Sequence, residues 1–212
     1  MKTPLQQVLG SALILCLFAI IGTALVALTH KQTRDQIKVN ERQELLARLS
    51  QVVSQSGLDN DLITSALPVH SPELLGSKAP VPAYRATQDG QPIAVILTAT
   101  ARNGYNGGIR LLVGIQADGK ISGVRVIQHK ETPGLGDAIE VEKSNWILGF
   151  NGLSLLNLSP SDWAVKKDGG AFDQFTGATI TPRAVVGAVY RSLQFFENNQ
   201  ERLLSAETAN DQ

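Results

Sequence analysis

The residues best placed for chemistry lie in a loop of small side chains that presents a threonine just before a helix. The loop occupies Asp168–Pro182 and reads DGGAFDQFTGATITP. Gly177 can adopt a positive φ, and together with Ala178 it leaves the hydroxyl of Thr179 uncrowded. A second protein or a large phosphorylated ligand can therefore reach that hydroxyl.

A helix is predicted directly after this threonine. Thr181 has the residue type of an N-cap and Pro182 suits the first helical position. Apolar side chains then continue at helical spacing, at Val185, Val189, Leu193 and Phe196. A phosphate on Thr179 would face free backbone N–H groups and the positive end of the helix dipole.

A second loop of special composition occupies His129–Gly136 and reads HKETPGLG. Pro133 stiffens it, Gly134 and Gly136 permit close backbone approach, and Leu135 offers an apolar face to a planar ring. Taken singly, each loop also fits an ordinary structural role. The first fits a glycine turn with a capped helix and the second a strand-to-helix connection.

The first loop resembles the flavinylation motif of the FMN-binding domain family, D-x-x-[ST]-G-A-[ST]. Every defined position is filled, by Asp173, Thr176, Gly177, Ala178 and Thr179. The resemblance implies that FMN is carried as a phosphoester on Thr179. It also implies that Asp173 and Thr176 serve recognition by a flavin transferase or the geometry of the loop.

The second loop resembles the E-T-P-G-L-G segment with which the same family holds its flavin. The cofactor-binding residues that this resemblance implies are Glu131, Thr132, Gly134, Leu135 and Gly136. The connection Asn103–Gly108 resembles the family's glycine-rich G-Y-x-G-x-I link, although alone it is a flexible loop.

Composition limits the other classes of function. The 212 residues are 43% hydrophobic and have no net charge, and the 19 basic residues are scattered, so a nucleic-acid groove has no support. Cys16 is the only cysteine, which excludes disulfides, zinc–thiolate sites and iron–sulfur clusters. The three histidines are isolated and lack the spacing of a metal site, at His30, His70 and His129.

The N-terminal segment predicts one transmembrane helix. No charged residue occurs from Val8 to Leu28, a length of roughly 30 Å as a helix. A cleaved signal peptide is the alternative, but its small-x-small site, Gly22–Ala24, would lie inside the apolar region. Leucines on both sides of Cys16 do not suit a lipoprotein site.

Charge counting and family resemblance disagree about the orientation of this helix. Lys2 precedes the span whereas Lys31, Arg34 and Lys38 follow it, which favours a cytoplasmic domain. The resemblance implies the bacterial inner membrane with the flavin domain in the periplasm, where the flavin transferase also works. We follow the resemblance, because a small difference in basic residues is a weak predictor.

The predicted fold class is α+β, with a twisted antiparallel sheet packed against helices. Four strands are predicted, with turns at Asp89-Gly90 and Asp118-Gly119; the strands are Tyr84–Thr87, Ile93–Ala101, Ile109–Gln116 and Ile121–Gln128. Asp137–Phe150 is predicted as a helix, with Ile139, Trp146 and Phe150 towards the core. Trp163–Lys167 is predicted as a last strand, and a helix from Pro182 to about Leu204 closes the domain.

The predicted organisation has four parts along the chain. A stalk helix over Lys31–Ser54 follows the anchor, and the proline-containing stretch Gly57–Pro82 makes a loop-rich entry. The parts are a membrane anchor, a stalk and linker, an FMN-binding domain and a polar tail, at residues 1–30, 31–80, 81–205 and 206–212.

Within the family, the chain most resembles the G subunits of the Rnf-type (Rsx-type) ion-translocating electron transport complexes. This implies an electron relay by covalent FMN without independent substrate turnover, with the other subunits and a flavin transferase as partners. The C subunits of the sodium-pumping NADH:quinone oxidoreductases share the motifs but are usually longer. A membrane-anchored interaction module and a flavin-dependent regulator are further alternatives, although a regulator usually adds spans or cysteine clusters.

Overall fold

A computed structural model describes residues 4–53 and 57–205, and the chain forms two compact units, residues 1–45 and 46–212. The predicted tail, 206–212, and Ser54 lie outside the described residues. The second unit includes residues 46–80, which the sequence predicts as part of a stalk and linker.

Helix α1, Pro4–Ser50, begins in the first unit. Its segment Ala12–Arg34, 23 residues, is long and apolar enough to cross a membrane, at roughly 35 Å in a helix. The large apolar side chains along this segment are exposed, Leu13 and Phe18 among them. The single apolar helix that the sequence predicts is therefore present.

The second unit contains one antiparallel sheet of five strands in the order of the chain. The strands are β1 Leu67–Val69, β2 Val81–Gln88, β3 Gln91–Gly104, β4 Gly107–Gln116 and β5 Ile121–Gln128. All four predicted strands are confirmed as parts of β2 to β5. Strand β1 was missed because three residues, one of them Pro68, give too short a pattern to recognise.

The hairpin turns are those that the sequence predicts. Asp89 and Gly90 both have positive φ, 52° and 72°, as a type I′ turn requires. At the next hairpin Gly119 has φ 83°. The Asn103–Gly108 link is mostly strand, because β3 and β4 extend into it and leave Tyr105 and Asn106 as the turn.

One face of the sheet packs against helix α2, Ile180–Leu204. Alternate residues of β3 and β4 supply the core on this face, from Val95 to Ala101 and from Ile109 to Ile115. The helix contributes the apolar positions that its spacing predicts, and all four are buried: Val185, Val189, Leu193 and Phe196.

The end of α1 and the residues after it reach the opposite face of the sheet. Gly114 and Gly123 are paired across β4 and β5, and the backbone of Val52 lies over both. A Cβ on Gly114 would lie 2.4 Å from a methyl carbon of Val52 and 2.4 Å from the Ser122 hydroxyl. Two glycines at this crossing therefore let the segment approach the sheet closely.

Two of the predicted elements are wrong. Asp137–Phe150 is two short 3₁₀ helices, Asp137–Ile139 and Asn145–Phe150, because Glu140 is extended and Ser144 accepts a hydrogen bond from the Trp146 N–H. This capping starts a new turn instead of continuing the first. The predicted burial holds, since Ile139 and Phe150 are buried and Trp146 packs against the core.

The predicted strand Trp163–Lys167 is a single bridge. Val165 pairs with Phe172, and a 3₁₀ turn, Lys166–Asp168, follows at once. Gly170 lies against the carbonyl group of Ala164, where a Cβ would be 2.0 Å from the oxygen. The chain folds back too tightly here to leave room for a strand.

Replacing Gly114 by alanine should lower the free energy of unfolding by about 1–3 kcal/mol, because the new methyl group overlaps Val52 and Ser122. Urea unfolding of the full chain in detergent measures the change. The matched control is Gly149→Ala, since no atom lies within 4 Å of the position that a Cβ on Gly149 would take. This substitution should change the free energy of unfolding by less than about 0.5 kcal/mol. Equal midpoints for the two variants would contradict the packing of Val52 on β4.

Candidate functional site

A cavity of about 370 Å³ opens where the turn between β3 and β4, the loop after β5 and the start of α2 meet. Its walls bring together both loops singled out in the sequence. The lining residues are Tyr105, Glu131, Thr132, Leu135, Gly136, Gly177, Ala178, Thr179, Ile180 and Thr181.

The threonine loop reaches the cavity through a tight turn. The Ala178 N–H donates to the Phe175 carbonyl at 3.1 Å, and Gly177, the third residue of the turn, has φ 80°. Positive φ at that position alone defines a type II turn, which favours glycine. Gly177 therefore adopts the positive φ that its residue type permits.

Thr179, and not Thr181, directly precedes α2. Thr179 has helical dihedral angles, φ −68° and ψ −28°, and its hydroxyl is left out of the capping of the helix. Thr181 was predicted as the N-cap, which is wrong: its hydroxyl donates to Oε2 of Glu131. Pro182 is accordingly the third helical residue, still within the turn where a missing N–H costs no helical hydrogen bond.

Glu131 connects the three segments that form the cavity. Only 4% of its surface is exposed, and its carboxylate accepts hydrogen bonds from the Tyr105 N–H at 3.2 Å and the Asn106 N–H at 2.9 Å. The Thr181 hydroxyl is the third donor. Because all three partners donate, the carboxylate is held as an acceptor, and the buried charge is compensated.

The two glycines of the second loop have different tasks. A Cβ on Gly136 would lie 2.9 Å from Cβ of Glu131 and 3.0 Å from Oγ1 of Thr181, so Gly136 permits the contact between those side chains. Its φ is −90°, in the range open to all residues. Gly134 has φ 77°, lies outside the cavity wall and donates its N–H to Oδ1 of Asp137 at 2.8 Å.

The apolar part of the wall lies opposite the threonine turn. Leu135 is 47% exposed, and Gly177 faces it, since a Cβ on Gly177 would come within 3.8 Å of a Leu135 methyl carbon. The Thr132 hydroxyl accepts a hydrogen bond from Nδ2 of Asn106 at 3.2 Å. The loop therefore offers an apolar surface with polar groups at its edge.

The remaining motif residues lie outside the cavity wall. Asp173 pairs with Lys166 at 2.6 Å, and its carbonyl oxygen accepts from Nε1 of Trp146 at 2.8 Å. Thr176 is exposed in the turn. Both positions are accessible on the outer side of the loop.

An aromatic cluster that the sequence does not predict supports the threonine loop. Ring centroids lie 4.7–5.6 Å apart through the set, in stacked, tilted and edge-to-face pairs. Its members are Trp146, Phe150, Trp163, Phe172, Phe175 and Tyr190. The one signal of this cluster in the sequence is that several aromatic residues occur close to the threonine loop. It does not predict which rings pair, because the paired residues lie up to 29 positions apart.

A salt bridge ties the beginning of the loop to the first turn of α2. Arg183 donates two hydrogen bonds to Asp168, at 2.6 and 2.8 Å, and holds the pKa of that carboxyl below its usual value. A lowered pKa means that the pair stabilises the fold above the unfolded-state pKa and that this is lost as pH falls through the folded value. Both groups are exposed, so the contribution is small.

His129 has a structural environment. Its Nε2 lies 2.5 Å from Oε1 of Glu140, and its Nδ1 accepts from the Glu131 N–H at 3.0 Å. Both ring nitrogens therefore help to shape the loop. Within residues 4–53 and 57–205, no group of three or more His, Cys, Asp or Glu side chains is arranged to hold a metal ion.

Comparisons with known proteins agree with this geometry. Residues 104–194 match the FMN-binding domain family, and residues 1–52 match the RnfG N-terminal region. The first match contains the turn between β3 and β4, both loops of the cavity and most of α2. The second contains the apolar helix and the segment that packs on the sheet.

Curated relatives extend the similarity over nearly the whole chain. The G subunit of the ion-translocating oxidoreductase complex of Pseudoalteromonas atlantica is 51% identical over 201 residues, 95% of this chain and 94% of the relative. The protein of the same name from Pseudomonas aeruginosa is 50% identical over 204 residues, 96% and 95% of the two chains. The crystal structure of Shewanella oneidensis NqrC has a TM-score of 0.45 at 21% identity, covering 70% of this chain and 72% of that one, which is too low to bear on the fold.

The matches and the cavity lead to one conclusion. The apolar helix is the membrane anchor, and the sheet domain carries FMN for a redox complex. The chain belongs to the family of G subunits of the ion-translocating oxidoreductase complexes.

Proposed function

We propose that this protein carries FMN covalently, as a phosphoester of Thr179, and relays electrons between neighbouring cofactors of its complex. The observation that supports it most is the cavity itself, which joins the E-T-P-G-L-G loop to the threonine turn. Thr179 lies on its wall with a hydroxyl that takes no part in capping α2. That hydroxyl is thus available for a bond to phosphorus.

The start of α2 suits a phosphate bound there. The first N–H groups of a helix have no acceptor within the helix, and its dipole places positive charge at this end. A phosphodiester on Thr179 would lie next to these groups, which favour an anion.

The cavity also suits a planar ring. Its volume of about 370 Å³ is within the roughly 300–1,000 Å³ typical of ligand sites. Leu135 provides an apolar surface, while Gly136 and Gly177 keep the walls free of side chains. When bound, FMN would supply one- and two-electron chemistry, and the protein would supply position and electrostatics.

The proposal accounts for residues outside the cavity as well. Asp173 and Thr176 lie on the accessible side of the loop, where a flavin transferase could recognise them before attachment. The role we propose is an electron relay without independent substrate turnover. Other subunits of the complex would donate and accept the electrons.

We further propose that the domain lies on the periplasmic side of the bacterial inner membrane. Covalent attachment prevents the loss of FMN where no cytoplasmic pool could replace it. The only cysteine, Cys16, lies in the apolar helix, so the domain needs no reducing compartment.

Replacing Thr179 by alanine should give a folded protein without covalent flavin, because the phosphoester loses its oxygen. The measurement is flavin fluorescence in a denaturing gel after co-expression with the flavin transferase. Intact mass should show one FMN residue fewer than in the parent. Thr179→Ser should keep the label and Thr176→Ala should weaken it without moving it; a labelled Thr179→Ala protein would refute the assignment.

Replacing Gly136 by valine should separate attachment from electron transfer. The branched side chain would push apart Glu131 and Thr181, so the cavity wall opens while Thr179 is still labelled. Native flavin fluorescence should rise and electron transfer through the complex should fall. The control is Gly149→Val, where space is open; a spectrally unchanged and fully active Gly136→Val protein would show that the loop does not hold the ring.

Protease added to spheroplasts should digest the domain if it is periplasmic. The readout is loss of the flavin-labelled band before membrane lysis, with a cytoplasmic protein as the control for intact membranes. Protection until lysis would instead support the orientation that Lys31, Arg34 and Lys38 favour.

A further inference from the structure

A basic groove of about 380 Å³ lies beside the flavin cavity. Its lining residues are Asn103, Ile180, Arg183, Ala184, Gly187 and Arg191. Ile180 belongs to the walls of both the groove and the cavity. Whatever occupies the groove is therefore next to the flavin site.

The groove follows one face of α2. Its helical residues recur at intervals of three or four, the spacing that places side chains in a row. Ala184 and Gly187 give this face small side chains. Arg191 folds back along it, with Nη1 3.2 Å from the position that a Cβ of Gly187 would take. Small residues thus leave room beside a guanidinium group.

The positive charge of this region is only partly balanced. Arg183 is paired with Asp168. Arg102, the neighbour of Asn103, donates from Nε to the carbonyl oxygen of Gly76 at 2.8 Å and from Nη2 to that of Pro72 at 2.6 Å, and neither acceptor brings a negative charge.

Arg191 lacks even carbonyl partners among the residues that the structure describes, 4–53 and 57–205. Burial lowers the pKa of its guanidinium, and the charge of Arg102 lowers that pKa further. Both effects disfavour the charged form, and a carboxylate seated between the two arginines would relieve them.

The surroundings of the groove favour a protein partner over a small anion. Ile180, which the groove and the cavity share, is 44% exposed, and two further large side chains of the adjoining cavity wall are exposed as well, Tyr105 by 66% and Leu135 by 47%. Arginine and aromatic side chains are enriched at protein interfaces. A member of a multi-subunit complex must also have a surface for its neighbours.

We propose that this groove receives an acidic segment of a neighbouring subunit, with aspartate or glutamate carboxylates paired to Arg191 and Arg102. The contact fixes the neighbour beside the flavin cavity and so sets the path for electrons. Its purpose rests on the proposed flavin site, whereas binding in the groove does not require flavin.

The test uses the whole complex purified with Arg191→Glu in this chain and washed with increasing salt. We expect the variant to dissociate at lower salt than the parent, and electron transfer to fall by about tenfold or more, because the proposed ion pair with Arg191 becomes a repulsion. An antibody against this chain measures how much of it is retained in the complex, and in-gel fluorescence measures the flavin label on Thr179. Absence of the label in the parent would contradict the proposed flavin attachment but not the proposed docking in the groove, since retention in the complex is measured separately.

Three further proteins make the outcome specific. Arg110→Glu is the control for charge, since Arg110 is exposed on β4 and should keep parental retention. Arg191→Lys should also dissociate at nearly the same salt concentration as the parent, because it keeps the positive charge. If the Arg191→Glu protein does not fold, the same measurements on Arg191→Gln test the proposal in its place. The proposal is overturned if flavin-labelled Arg191→Glu or Arg191→Gln protein leaves the complex at the same salt concentration as the parent. So does a phosphate-induced rise in the unfolding temperature of the full chain that Arg191→Gln abolishes, which would indicate a small-anion site.

Discussion

The buried carboxylate of Glu131 is the interaction on which the candidate site depends. It accepts from the turn between β3 and β4 and from the first turn of α2, while it belongs to the loop after β5. A buried charge is costly unless it is paired, and removal of the acceptor would leave donors unsatisfied at about 1–3 kcal/mol each. One side chain thus fixes the relative positions of three segments that are distant in sequence, and it does so at the wall of the candidate cavity.

Helix α2 gives this site a rigid base. Its first residues line the cavity, while its later apolar positions are buried against the sheet. The aromatic cluster holds the threonine loop from the other side, through rings and the hydrogen bond from Trp146 to the Asp173 carbonyl. An electron carrier benefits from such an arrangement, because transfer depends on a constant distance and orientation between cofactors.

The balanced net charge of the chain conceals a local imbalance beside the site. Arg102 and Arg191 lie close enough to affect each other, and only Arg183 in this region has a carboxylate partner that the structure shows. Electrostatic complementarity directs association and fixes the orientation of a partner more than it adds affinity. A groove with this charge next to the candidate cavity therefore suits a protein that has to hold its neighbours in one geometry.

Much of the fold and of the candidate site could be predicted from the sequence alone, because the patterns concerned extend over only a few residues. The apolar run of α1, the alternation and turn residues of β2 to β5, the positive φ of Gly177 and the buried face of α2 all depend on near neighbours. The two loops of the site could be identified because their residue types are unusual and their order matches a known family. The sequence did not predict β1 or the two 3₁₀ helices in Asp137–Phe150, which are too short for periodicity to show.

Only the tertiary structure decided how the two loops meet. Thr181 has the type of an N-cap, yet its hydroxyl binds a carboxylate 50 positions away, and Gly136 is small because that contact passes beside it. The pairing of Gly114 and Gly123 under Val52 depends in the same way on chain segments that sequence separates. A local sequence pattern shows which hydrogen-bond partners a side chain could have, whereas long-range packing selects one of them. For Thr181, satisfying a buried carboxylate outweighs a local preference for capping the helix.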